Sequence, residues 1–187
     1  MNFNALHQQN QPLLLANVWD ASSAQAAQQA GYQALGSSSA AIAAMLGYED
    51  GEEMSFDELF YVVSRIKTVS ELPLSFDLEA GYSATTSHII DNIQRLAHLG
   101  VSGINLEDSH VVDSTRRLDD AERFAVKLQE ITRACPGLFV NVRTDTFLLN
   151  VPNALDETLY RGQLYANHGG CGFFVPFVTR PEDITAI

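Results

Sequence analysis

"LLLANVWD", Leu13 to Asp20, is an apolar run that ends on a tryptophan and an acid. The run reads as a buried strand, and the residues just after it decide the fold. A doubly wound nucleotide-binding sheet would place a glycine-rich phosphate loop directly after its first strand. Here the strand runs into Trp19-Asp20 with no glycine fingerprint. A parallel barrel instead gathers polar residues at the C-terminal ends of many strands.

The pattern recurs along the chain. Strand-like runs begin near Pro12, Gln33, Leu74, Gly103, Leu138 and Gly172. They recur at about 30 residues, the length of a βαβ unit. Helix-period segments lie between them. "ASSAQAAQQAG" stops at Gly31, and "MSFDELFYVVSRIKTVSEL" opens with the capping-box pair Ser55 and Glu58. "TTSHIIDNIQRLAHLG" sets Ile89, Ile90, Ile93, Leu96, Ala97 and Leu99 on one stripe before Gly100. Strands that alternate with helices predict a parallel α/β sheet.

The strand ends decide between the two architectures. They deliver Asp20, the serines of "GSSS", Asp77 with Glu79, Glu107 with Asp108, and Arg143 with Asp145. The sixth ends in Pro176. Chemistry on one rim predicts a TIM (β/α)8-type barrel. The expectation is a single barrel domain over residues 1–187, with about six β/α units. Six units do not close eight strands, so the chain is expected to lack the last strands and helices and to be a piece of a longer one.

Composition narrows the partners. The 187 residues are 46% hydrophobic, enough for one sizeable core. The net charge is −12, with 23 acids against 11 Lys plus Arg. That balance argues against nucleic acid and against an anionic membrane. "MNFNALHQQNQP" has no signal-peptide pattern, and no apolar run approaches the ~20 residues of a membrane span. Cys135 and Cys171 are far apart and read as free thiols, which predicts a cytoplasmic protein.

The candidate site follows from the rim. Asp77, Glu79 and Glu107 offer hard oxygen ligands with no His or Cys at ligand spacing nearby. Such a set selects Mg²⁺ or Mn²⁺ over zinc, with some contacts through water. The competing reading has these acids capping helices or pairing with arginines. Arg143 suits a substrate carboxylate or phosphonate, with an ion pair to Asp145 or Glu107 as its alternative. Ser37, Ser38 and Ser39 precede a helix start, where backbone N–H groups and hydroxyls hold carboxylates. "AAMLGYEDGEEMS" is long for a connection between strand and helix and reads as a lid that delivers Asp50 as catalytic acid or base. Its alternative is a solvated acidic loop. Trp19 stands at the same rim as a candidate substrate contact. His88, His98 and His168 read as structural or surface residues.

Taken together, "NVWDASSA", "GSSSAAIAAMLGYED", "PLSFDLEAGYS", "GINLEDS", "VRTD" and "GFFVPFVTRPEDI" resemble the isocitrate lyase/phosphoenolpyruvate mutase superfamily. The resemblance runs from about Leu14 to the C-terminus. It implies an eight-unit barrel that binds Mg²⁺ and small 2-oxo or 2-hydroxy acids. It also implies a homo-oligomer, a tetramer or a dimer, with an exchanged last helix. The implied reaction makes or breaks a C–C or P–C bond through an enolate-like pyruvate state. By resemblance, Asp77, Glu79 and Glu107 match the metal-site acids. Ser37 and Ser38 match the residues that hold the substrate carboxylate. Arg143 matches the substrate-binding arginine, and Asp50 the gating-loop aspartate.

The departures direct the choice of activity. The family often has Asp-x-Asp where this chain has Asp77-x-Glu79, a change that keeps the charge. Lyases that cleave isocitrate or methylisocitrate carry a Lys-x-Cys-Gly-His-type loop after the fourth strand; here "EDSHVVDSTRRLDD" has no cysteine. Phe177 falls where those lyases place a glutamate. The expected activity is therefore oxaloacetate decarboxylase-like. A phosphonopyruvate hydrolase or phosphoenolpyruvate mutase, a methylisocitrate-type lyase and a non-catalytic barrel that binds a small acid are the alternatives.

Overall fold

Six parallel strands pair in strict chain order, which is how a barrel is built and how a doubly wound sheet is not. The computed structural model describes residues 3–187. The strands are β1 (Leu15–Val18), β2 (Ala34–Ser37), β3 (Leu74–Asp77), β4 (Gly103–Glu107), β7 (Phe139–Arg143) and β8 (Gly172–Phe174). β5 (Ser109–Val112) and β6 (Thr115–Leu118) form a separate antiparallel hairpin. A short helix, α1 (Phe3–Leu6), precedes β1. β1 and β8 are the edges of the sheet.

The helices cover the outer face. They are α2 (Ala21–Gln29), α3 (Ser39–Leu46), α4 (Phe56–Val69), α5 (Thr86–His98), α6 (Ala121–Ala134), α7 (Ala154–Asn167) and α8 (Pro181–Ala186). Caps set their starts. Asp20 accepts the Ser23 N–H at 2.6 Å, so the acid at the end of the first strand run is a helix cap. The capping box of Ser55 and Glu58 opens α4 as expected. On the α5 stripe Ile89, Ile93 and Leu96 are buried, while Ala97 faces out.

Alternation along each strand separates core from cavity. Leu74, Phe76, Ile104, Leu106, Val140 and Val142 belong to the apolar core. Their neighbours Ser75, Asp77, Asn105, Asn141 and Arg143 line an interior cavity. The Asn141 side chain donates to Asn105 Oδ1 at 2.8 Å within this polar interior. Parallel register places Glu107 beside Arg143 and Asp77 beside Asn105, which brings the strand ends to one level.

One sequence expectation needs correction. The long segment before α4 joins two helices, α3 and α4, and is not a direct connection from strand to helix. The extra helix accounts for the wider interval between β2 and β3. The segment after β4 folds as the β5–β6 hairpin.

A buried polar network ties α7 to the strand ends. Asp108, fully buried, accepts from Arg161 at 2.8 Å, Tyr165 at 2.9 Å and Thr144 at 2.7 Å. Arg161 also donates to the Asp119 carbonyl at 3.0 Å. Removing one partner strands a buried charge. Arg161→Met is therefore expected to cost about 3–5 kcal/mol in urea unfolding. A loss below about 1 kcal/mol, the level of an exposed pair, would show that the network contributes little.

Candidate active site

A cavity of about 280 Å³ runs along the inner face of the sheet, from Leu15 and Phe139 at strand starts to Ser37, Asp77 and Arg143 at strand ends, with Ser38, Asn105 and Asn141 also in its wall. Four of the eight residues expected in the site from sequence meet there: Ser37, Ser38, Asp77 and Arg143.

The serines serve both the fold and the cavity. Ser37 Oγ accepts the Asp77 N–H at 2.9 Å, which locks β2 to the end of β3. Ser38 caps α3 by accepting the Ala41 N–H at 3.3 Å. Ser39 donates both its N–H, at 3.1 Å, and its hydroxyl, at 2.7 Å, to Asp77 Oδ2. Ser39 thus orients Asp77. Burial raises the Asp77 pKa, the Ser39 bonds and Arg143 pull it back, and the Asp50 charge adds to the rise.

Glu79 does not continue the strand. β3 ends at Asp77, and Glu79 takes a left-handed φ of 53°. The rule that residues two apart share a strand face therefore stops at Asp77. Glu79 lies instead with Glu107 in a small adjoining pocket of about 10 Å³. Tyr82 donates its hydroxyl to Glu79 Oε1 at 2.6 Å. Burial still pushes the Glu79 pKa up to about 8, helped by the charges of Asp50, Glu107 and Glu52. Burial likewise lifts Glu107 to about 7, against the pull of Arg143 and Arg116.

Two arginines answer this charge. Arg143 pairs with Glu107 at 2.6 Å and with Asp145 at 2.7 Å, so both ion pairs offered as its alternative role are formed. It still lines the cavity, with Phe174 5.9 Å from its guanidinium carbon. Arg116 is the residue the sequence reading missed. It extends from β6 to Glu107, to Ser109 Oγ at 3.0 Å and to Asp145 at 3.3 Å. The signal is weak: Val111-Val112 precede Asp113-Ser114 and Thr115 follows, and both turn residues take positive φ, the geometry of a two-residue hairpin. His110, also on the hairpin, pairs with Asp119 at 2.6 Å.

The remaining candidates sit around this group. Asp50 lies on the loop between α3 and α4, where its charge reaches Asp77 and Glu79. Trp19 is 41% exposed and stays outside the cavity wall. Phe177 is exposed and has a φ of 65°. Cys135 and Cys171 both precede strands, β7 and β8, at the end of the sheet opposite the acids.

The donor set fits a hard divalent cation with a partly aqueous shell. Among the described residues no three His, Cys, Asp or Glu side chains converge closely enough to hold an ion alone. Mg²⁺ needs only one or two carboxylates and keeps several waters. Asp77 on the cavity wall, with Glu79 and Glu107 behind it, supplies oxygen donors whose pKa values are raised chiefly by burial.

The sequence profile of the phosphoenolpyruvate phosphomutase family matches residues 3–187. The uncharacterized protein Rv1998c of Mycobacterium tuberculosis is 32% identical over 187 residues, covering all of this chain and 69% of that one. The 2-methylisocitrate lyase of Salmonella typhimurium is 27% identical over 197 residues, covering 99% of this chain and 62% of the lyase. A solved structure from Burkholderia cenocepacia J2315, provisionally assigned as a phosphonomutase, superposes with a TM-score of 0.91 at 37% identity, over 98% of this chain and 77% of that chain. A phosphonopyruvate hydrolase, solved with oxalate and Mg²⁺, shares the fold at 21% identity and a TM-score of 0.86, over 99% of this chain and 66% of that chain. The acid-rich rim, the sequential parallel strands and the profile match together make this chain a member of the phosphoenolpyruvate phosphomutase family, within the isocitrate lyase/phosphoenolpyruvate mutase superfamily of lyases and mutases.

Proposed function

We propose that the chain belongs to a divalent-metal-dependent enzyme that cleaves a C–C bond of a small 2-oxo acid, with oxaloacetate decarboxylation as the model reaction. The observation that carries this reading is the convergence of Ser37, Ser38, Asp77 and Arg143 on one cavity beside the buried acids Glu79 and Glu107. The phosphonopyruvate hydrolase neighbour, with its oxalate and Mg²⁺, supports both the ligand class and the cation.

Asp77, Glu79 and Glu107 would hold the cation, directly or through water. When bound, it supplies Lewis-acid stabilisation of negative charge developing on the substrate's 2-oxo oxygen. The chain does the rest. Arg143 and the groups at the start of α3, Ser37 and Ser38, anchor the acid groups. Ser39 keeps Asp77 in one orientation. Asp50, on its loop, excludes water and moves a proton at the carbon where the bond breaks.

A second reading, cleavage of a P–C bond, is favoured by the arginine pair. Arg116 adds a second guanidinium next to Arg143 around Glu107, and a phosphonate carries more charge than a carboxylate. Thiol-dependent methylisocitrate-type cleavage lacks support, because both cysteines lie away from the acids.

The reaction is tested by pyruvate release from oxaloacetate and from phosphonopyruvate, with and without EDTA. Release from oxaloacetate should be EDTA-sensitive and should fall about a hundredfold in Glu79→Gln, after subtraction of spontaneous metal-catalysed decarboxylation. Turnover retained in that variant would sink the metal assignment. Faster release from phosphonopyruvate would select the second reading.

Glu79 also makes a pH-dependent prediction for the metal-free protein. Its pKa rises from 4.5 to about 8 on folding, so the fold favours the protonated acid. That stabilisation is complete below the unfolded value and is lost as pH climbs through the folded value. Glu79→Gln has no proton to lose. The metal-free variant should therefore melt above the parent at about pH 8, and the gap should close towards about pH 5. A gap that does not change with pH would show that Glu79 ionises as an exposed acid does.

A further inference from the structure

The loop between α3 and α4 is fastened near its tip by one side chain that the reaction does not use. Glu52 Oε1 accepts the Tyr82 backbone N–H at 2.8 Å. Gly81 gives its own N–H to the Leu78 carbonyl at 3.0 Å, which closes the turn that presents the Tyr82 N–H. Burial pushes the Glu52 pKa up, and the nearby backbone dipoles of Tyr82, Gly81 and Ala80 pull it back.

The turn is rigid. Gly81 and Tyr82 hold φ values of 117° and 58°. A Cβ on Gly81 would come within 2.8 Å of Ile89, so only glycine fits. The Asn92 side chain donates to the Gly81 carbonyl at 3.2 Å and braces the turn from α5.

The loop is shaped to reach this turn. Gly51 and Glu52 take φ values of 114° and 66°. Gly51 packs so closely on the β5–β6 hairpin that a Cβ there would lie 3.1 Å from Val111 Cγ2. Beyond the tip, Met54 is buried in the core and anchors the return into α4. The turn that receives Glu52 also holds the site, because the Tyr82 hydroxyl binds Glu79 at 2.6 Å. Asp50, two residues before Glu52, lies within charge reach of Asp77 and Glu79.

We infer that Glu52 is a positioning residue: its carboxylate, bonded to the Tyr82 backbone N–H, latches the loop shut and so fixes Asp50 beside the acids. The catalytic part of this inference rests on the reaction proposed above, whereas the latch itself rests on the contacts alone. A carboxylate bonded to a backbone N–H makes a charge-assisted bond, stronger than the one a neutral amide makes at the same place.

The test compares Glu52→Ala, Glu52→Gln and Glu49→Ala in the full chain. Glu49 is an exposed acid on the same loop and serves as the control. Two readouts are taken: hydrogen exchange of peptides covering residues 47–55, and kcat and KM for pyruvate release from oxaloacetate. Glu52→Ala should raise exchange in that loop about tenfold and leave the strands protected. It should lower kcat about tenfold or more with a smaller change in KM, because misplacing a catalytic group slows the chemical step. Glu52→Gln keeps one acceptor without the charge and should fall between parent and Ala; Glu49→Ala should match the parent.

Unchanged loop exchange in Glu52→Ala would overturn the latch. Exchange raised evenly over the chain would reduce Glu52 to a general stabilising role and overturn it too. An opened loop with full kcat would overturn the positioning role. A parent that releases no pyruvate would sink the reaction assigned above; exchange would then still decide the latch, upheld by local opening and overturned without it.

Discussion

Glu107 lies beside Arg143 in the register of two parallel strands, almost fully withdrawn from water. Arg116 reaches the same carboxylate from the hairpin, and Asp145 answers both arginines. This cluster is the constraint around which the rim is built. Burial penalises each acid, Arg143 relieves part of that cost at Glu107 and Asp77, the Tyr82 hydroxyl relieves part of it at Glu79, and the pKa values of all three rise.

The fold supplies the cluster by separating two kinds of inward contact. Alternate strand residues send apolar side chains to the helices and polar ones to the interior. The interior is therefore a polar cavity rather than the packed apolar core that fills many barrels. Serine bonds then fix the acids in place: Ser37 holds the Asp77 backbone and Ser39 its carboxylate. Deeper in the wall, Asp108 is consumed by Arg161, Tyr165 and Thr144, so two adjacent acids, Glu107 and Asp108, have opposite fates. Adjacent residues at a strand end point to opposite faces, and only one of the two can reach the rim.

Much of this was legible beforehand. The missing glycine fingerprint after "LLLANV" and the polar strand ends pointed to a barrel, and the sequential parallel order agrees. Ser37, Ser38, Asp77 and Arg143 were picked out by position and meet at the cavity. Other readings failed for local reasons. Glu79 leaves the strand geometry through a left-handed turn, and period-two reasoning cannot register such a turn. The hairpin gives little sequence signal, because its runs are short and its turn is Asp-Ser rather than the favoured Asn-Gly or Asp-Gly. Arg116 was lost with it.

Sequence by itself determined the residue types, the alternation of strands and helices, and the level at which each strand ends, because these depend on periodicities and caps within single segments. Tertiary structure alone decided which acid meets which arginine. It also decided that Glu52, an ordinary member of an acidic loop, lodges in the backbone of a turn 30 residues away. That contact has no pattern in the sequence. Its acceptor is a side chain, but its donor is a backbone N–H, which every residue except proline carries, and only folding brings the two together.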